Sequence, residues 1–187
     1  LNLIQHPIGI GTQVRDDQRS LTTSFPSAVF WLRFYSALTS TVTVLIVFFI
    51  SRQLFAVNFS LLAAVLTAFT PGLIQAAHFG TTESLLTFFF MVSIYLSLRY
   101  LDNLSKLKFV LLTSLTIGLA LGSKLTGIFF FIPPFIALLI RFSEVFTKKD
   151  KNKTSKLFVY WIIGLLVLIC SILVFILSSP YNLVEPE

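Results

Sequence analysis

Charge is what this sequence has least of. Of its 187 residues only 12% are Asp, Glu, Lys or Arg, about half the share that a soluble domain carries. The scarcity is also uneven: Phe34 to Ile50 holds no charge, and neither does Leu157 to Ser179. An ordinary soluble domain is excluded, because such runs have no place on a watered surface. Cysteine is nearly absent as well. Cys170 is the only one and lies within the last apolar run, so no disulfide framework inside the chain is available and a packed or lipid-facing thiol is expected. There is no internal repeat. There is also no initiator Met ahead of Leu1 and no basic leader with a cleavage site, so the expectation is a piece of a longer protein, truncated at both ends.

What the sequence does have is apolar length. Hydrophobic residues make up 56% of it, and the mean hydropathy is +0.89. A helix needs about 20 apolar residues to cross a hydrocarbon core of about 30 Å. In lipid its backbone must be hydrogen-bonded within the segment, which makes each run a helix. The expected fold class is therefore all-α: a polytopic transmembrane helical bundle of about six spans, near residues 30–50, 57–77, 83–100, 107–122, 125–142 and 157–179. Residues 1–27, with Pro7, Gly9, Gly11, the charged run Arg15-Asp16-Asp17-Gln18-Arg19 and Pro26, read as an outer-face loop or short interfacial helix. Residues 28–179 form the transmembrane domain, and 180–187 begin the next outer-face loop. Pro71-Gly72 is expected to break the second span before its outer end. The stretch 107–142 reads as a hairpin turning at Gly122-Ser123-Lys124, with Pro133-Pro134 expected to kink the fifth span.

The basic residues orient the spans. Arg52 follows the first; Arg99, Lys106 and Lys108 follow the third; Arg141, Lys148, Lys149, Lys151, Lys153 and Lys156 follow the fifth. With six spans all of these fall on one face, which the bias of Lys and Arg toward cytoplasmic loops makes the inner one. Only Arg15, Arg19, Arg33 and Lys124 of the 14 basic residues fall on the other. The net charge of +6 thus points to a bilayer as the partner, and to no nucleic acid.

Ionisable groups near spans are costly, and are functional candidates for that reason. Four stand at the outer span ends: Arg33, His78, Glu83 and Lys124. Arg33, in Phe30-Trp31-Leu32-Arg33-Phe34-Tyr35, is either an interfacial arginine beside an aromatic belt or a guanidinium fork for a phosphate. His78 is either a surface histidine or a ligand. Glu83, after Thr81-Thr82, is either an acid in the first turn of a helix or a carboxylate aimed into an outward cavity, as metal ligand or partner of an acceptor hydroxyl. Lys124, between Gly122 and Gly127, either marks a loop or meets an anion together with nearby amides.

The string Arg33-x-x-Ser36-Ala37-Leu38, the following Thr43-Val44 and Arg52-x-Leu54-Phe55, and then Thr70-Pro71-Gly72 with His78-Phe79-Gly80-Thr81-Thr82-Glu83-Ser84 resemble the dolichyl-phosphate-mannose-protein mannosyltransferase superfamily. Gly118-Leu119-Ala120, Ser123-Lys124-Leu125-Thr126-Gly127, Ile132-Pro133-Pro134 and the closing Ser179-Pro180-Tyr181 are similar to it too. The resemblance covers roughly residues 30 to 182. It implies a GT-C fold integral-membrane glycosyltransferase, multi-pass in the plasma membrane. Such an enzyme passes a mannose-like sugar from a polyprenyl-phosphate donor lipid to a protein or lipid acceptor on the extracytoplasmic face. By position Arg33 and Lys124 then match the family's basic residues near the donor phosphate, and Glu83 stands where many members carry Asp, as a catalytic carboxylate. His78 becomes an acceptor or metal contact. No cofactor is required by the resemblance, and a divalent metal ion stays open as an alternative.

One departure bears on activity. The family's main catalytic acid lies in an acidic pair in the first outer loop, close behind the first span. Asp16 and Asp17 sit too near the span at 30–50 to be that pair. The main acid is therefore expected upstream of Leu1, with the fragment inactive alone. The rival reading is a membrane transporter or lipid flippase, which broken spans and polar helix ends also suit. Against it, no charged residue falls in the middle of a span, where carriers place coupling groups.

Overall fold

A computed structural model describes residues 8–102, 105–147 and 153–179, with the backbone alone for 8–27. Segment 180–187, expected as the next outer loop, and Lys148 to Asn152 of the basic loop lie outside the described residues. Among those described there are helices and no strand. They are α1 (Ile8–Leu54), α2 (Val57–Ala68), α3 (Pro71–Phe79), α4 (Thr82–Asp102), α5 (Lys106–Ser123), a 3-10 helix over Leu125–Phe131, α6 (Ile132–Thr147) and α7 (Lys153–Ser178).

Five stretches are long and apolar enough to cross a membrane: Ala28–Leu54, Thr82–Asp102, Lys106–Ser123, Leu125–Val145 and Thr154–Ser178. The pair α2 and α3 passes the same test together, with a bend of 50° between them. Its placement alongside α1 fits a single bent crossing. It starts at Val57, directly after the Leu54 end of α1. It finishes at Gly80, where an added Cβ would lie 3.1 Å from the backbone of Leu32 and Arg33. From Leu32 to Leu54, α1 rises about 33 Å, and α2 with α3 descends the same distance. With the bent pair counted as one crossing the total is six, the number expected from the apolar runs; without it the count is five.

The bend has a local cause. Proline disfavours helical backbone in the residue before it, and Thr70 is extended, at φ −67° and ψ 117°. Pro71 then occupies the first turn of α3, where its missing N–H costs nothing. The helix restarts as Leu73 and Ile74 donate to the Thr70 carbonyl at 3.1 and 3.2 Å.

Two features depart from the sequence reading. Helix α1 begins at Ile8 rather than near Ala28, and its 47 residues span about 70 Å. Only its later part is apolar enough to be the crossing. Pro133-Pro134 also produce no kink within a continuous helix. The fifth span opens as a 3-10 helix, and both prolines sit in the first turn of α6, a position that spends no interior hydrogen bond.

The bundle is lined with small hydroxyl residues and coated with large apolar ones. Ser36, Thr43, Ser60, Ser84, Ser93, Thr113 and Ser171 are buried, while Leu177, Trp161, Phe59 and Leu66 are exposed. That inversion suits a lipid surround, where helices gain by close approach through small residues rather than by hiding leucine. Serine hydroxyls cross the interfaces. Ser93 donates to the Phe130 carbonyl at 3.0 Å, and Ser114 to that of Val167 at 3.2 Å. The apolar core packs α4 to α7 together and includes Tyr100, stacked on Phe109 at 4.2 Å. There the Arg141 guanidinium donates to the Tyr100 and Leu101 carbonyls at the end of α4, and to Glu144 at 3.0 Å.

The two ends of the bundle therefore differ in charge. Arg52, Arg99, Lys106, Lys108, Arg141, Lys153 and Lys156 stand at or near one end. At the other are Arg33, His78, Glu83 and Lys124.

Candidate active site

Glu83 is the second residue of α4 and Lys124 is the residue that ends α5. They are 41 positions apart in sequence, yet Lys124 Nζ donates to Glu83 Oε1 at 2.7 Å. The side chains remain 48% and 57% exposed. A pair so exposed contributes about 0–1 kcal/mol, too little for stabilisation to be its main consequence. It leaves a cation and an anion ready to change partners.

The backbones beneath the pair are held firmly. Lys124 is extended, its N–H donates to Ala120 at 3.0 Å, and its carbonyl accepts from Gly127 N–H at 2.9 Å. Gly127 permits that reversal, because a Cβ there would lie 2.8 Å from the Ala120 carbonyl carbon. On the other side Ser84, next to Glu83, is buried. Its hydroxyl lies 2.5 Å from that of Ser36 on α1 and 3.1 Å from the Thr81 carbonyl oxygen. Ser36 donates in turn to the Ala76 carbonyl on α3 at 2.8 Å. Gly80 closes the turn in left-handed backbone, φ 67°, which only glycine takes without strain. Ser36 thus ties α1, the end of α3 and the start of α4 to one point below Glu83.

Glu83 also lines a cleft of about 530 Å³ between α1, the broken α2–α3 crossing and α4. Thr43, Val47 and Ile50 come from α1, Thr67 and Thr70 from α2 and its end, Leu73 from α3, and Thr87, Met91 and Ile94 from α4. The carboxylate is the only ionisable side chain in that lining. From Glu83 to Ile94 the cleft follows α4 for about 16 Å, so an ion pair at one end gives onto an apolar channel with scattered hydroxyls.

Of the four residues singled out from sequence, the structure joins Glu83 and Lys124. Arg33 is exposed on α1, one turn before Ser36, with its backbone N against Gly80. His78 is exposed in the last turn of α3, its ring edge-on to Phe79 at 5.5 Å. Both share the end but touch neither member of the pair. Among the described residues no three His, Cys, Asp or Glu side chains lie together. Ser36 and Ser84 were visible only as parts of the family string, and their polarity in apolar surroundings was the available signal. Of the cleft hydroxyls, Thr43 and Thr70 also lay in that string, while Thr67 and Thr87 carried no signal.

The chain matches the family model described as dolichyl-phosphate-mannose-protein mannosyltransferase over residues 17–178. It belongs to that family. No curated protein and no solved structure matches it. The dolichyl-phosphate-mannose-protein mannosyltransferase family is one of membrane glycosyltransferases, and the six crossings agree with it. The match extends from Asp17 on α1 to Ser178 at the end of α7, so the cleft and the ion pair lie wholly within it.

Proposed function

We propose that the chain contributes the donor-phosphate and acceptor side of a site that transfers mannose from a polyprenyl-phosphate donor to an acceptor hydroxyl of a protein, at the end of the bundle where Glu83 meets Lys124. A lipid acceptor is the alternative for the same chemistry. The observation that carries this reading is the 2.7 Å ion pair standing at the mouth of an apolar cleft. An isoprenoid needs an apolar groove, its phosphate a cation, and an acceptor hydroxyl a carboxylate. All three are met within one short stretch of α4 and its neighbour.

In the reaction the bond from the anomeric carbon to the phosphate oxygen breaks, and its electrons leave with polyprenyl phosphate. The hydroxyl oxygen bonds to the anomeric carbon, and its proton passes to a carboxylate. Lys124 stabilises the charge gathering on the departing phosphate, with Arg33 as a second cation at that end. Glu83 holds the acceptor hydroxyl. His78 is the side chain offered to the acceptor. As a metal contact it would be a lone ligand, so a divalent ion there would draw mainly on phosphate, carboxylate and water. The basic end faces the cytoplasm by the bias of Lys and Arg, which turns the Glu83–Lys124 end outward from the plasma membrane.

The test is mannose transfer from radiolabelled polyprenyl-phosphate-mannose to an acceptor peptide, in membranes carrying the product of the full-length gene. Lys124→Ala and Glu83→Gln are each expected to lower transfer by about 10²-fold at equal protein level, the usual scale for such groups. Undiminished transfer in either variant removes that residue from the site. Donor crossing the bilayer with no transfer to the peptide favours a carrier.

A further inference from the structure

We infer that Glu83 and the donor phosphate compete for the Lys124 ammonium, so that the donor binds first and its arrival releases the Glu83 carboxylate for the acceptor. The inference rests on the reading of Lys124 as the phosphate's cation.

The geometry argues for competition in three steps. First, the ammonium is already engaged, with Nζ 2.7 Å from Glu83 Oε1. An ammonium has three N–H donors, so a phosphate oxygen has room on it. That oxygen would then stand beside the Glu83 carboxylate, anion against anion, and like charges at such distance repel. Second, no other cation makes an ion pair with Glu83 among the described residues. Among the described residues no other charged group would keep the carboxylate in place once the phosphate has neutralised Lys124. Third, the parts that would move are side chains only. The main chain at Lys124 is fixed by its bonds to Ala120 and Gly127, and that at Glu83 by the buried Ser36–Ser84 contact below it. Both long side chains are about half exposed and free to swing.

The direction of release also serves the reaction. Glu83 lines the cleft together with Thr87, whose hydroxyl bonds to the Glu83 carbonyl at 2.8 Å. A carboxylate leaving Lys124 stays at the cleft mouth, next to the sugar of a donor whose phosphate has taken its place. Without donor, the carboxylate is occupied by its own lysine. An acceptor hydroxyl arriving early meets a neutralised pair.

The measurement is binding of farnesyl-phosphate-mannose to the full chain in nanodiscs, for the unaltered protein, Glu83→Gln, Lys124→Ala and the double variant. Competition predicts that Glu83→Gln binds the donor about two- to fivefold more tightly, the scale of an exposed ion pair relieved, although it transfers mannose more slowly. Lys124→Ala binds at least tenfold more weakly, and adding Glu83→Gln to it changes nothing further. Unchanged or weaker binding by Glu83→Gln, with Lys124→Ala still weak, overturns the competition and leaves Lys124 as the phosphate ligand. Unweakened binding by Lys124→Ala overturns the underlying reading instead. Binding of the acceptor tests the order separately. An acceptor peptide that keeps its hydroxyl should bind several-fold more tightly in the presence of a non-transferable phosphonate analogue of the donor than in its absence, and equal binding with and without the analogue overturns donor-first binding.

Discussion

A serine hydroxyl inside a membrane helix has no water to fall back on, so where it bonds across helices it holds them. Ser36 does this at the point that matters most, reaching the Ala76 carbonyl on α3 and the Ser84 hydroxyl on α4. Ser36→Ala removes both links. The expected cost is about 0.6–1 kcal/mol, read as earlier thermal unfolding of the detergent-purified chain, while Thr41→Ala, whose exposed hydroxyl bonds only to its own helix at Ala37, should change little. Residues of this kind are hard to recognise in sequence, because serine is common in membrane helices and only a partner gives it meaning. Glu83 and Lys124 were legible one at a time, since charge at a span end is conspicuous. Their contact was not, because 41 residues separate them and no pattern along the chain encodes that meeting.

Among the elements, α5 and α7 share the most extensive contact, and two glycines permit it. A Cβ on Gly118 would stand 2.5 Å from Val174 Cβ and 2.7 Å from the Ser171 carbonyl oxygen, and one on Gly122 would stand 2.5 Å from Ser178 Oγ. The carbonyl belongs to the backbone and cannot turn aside. Gly118→Ala should therefore force the helices apart at a cost of about 1–3 kcal/mol. At Gly72, in the first turn of α3, a Cβ would meet nothing within 4 Å. Gly72→Ala should be neutral, or stabilising by up to about 1 kcal/mol, through helix propensity alone. Thermal unfolding of the two variants side by side checks the contrast. The break at Thr70-Pro71-Gly72 was readable from sequence because proline acts locally. The placing of Pro133 and Pro134 in a first turn was not, since it depends on the 3-10 helix before them folding back against α5 at Gly127.

At the scale of the whole molecule the six crossings put the two ends of the bundle on opposite sides of a bilayer. In a Cys170→Ala background, His78→Cys should react with an impermeant maleimide added outside intact cells. Lys106→Cys and Lys156→Cys should react only after permeabilisation. Labelling of all three from one side would contradict the six-crossing arrangement. That arrangement was already written in the sequence, because hydrocarbon forbids charge and unpaired backbone wherever along the chain they occur, so length and charge of each run decide its state without reference to any other run. Which crossings touch is a different matter. The cleft between α1, the broken crossing and α4, and the meeting of Glu83 with Lys124 at its mouth, depend on how far each helix tilts and how closely small residues let it approach. Those are properties of pairs of helices, and only the folded bundle decides them.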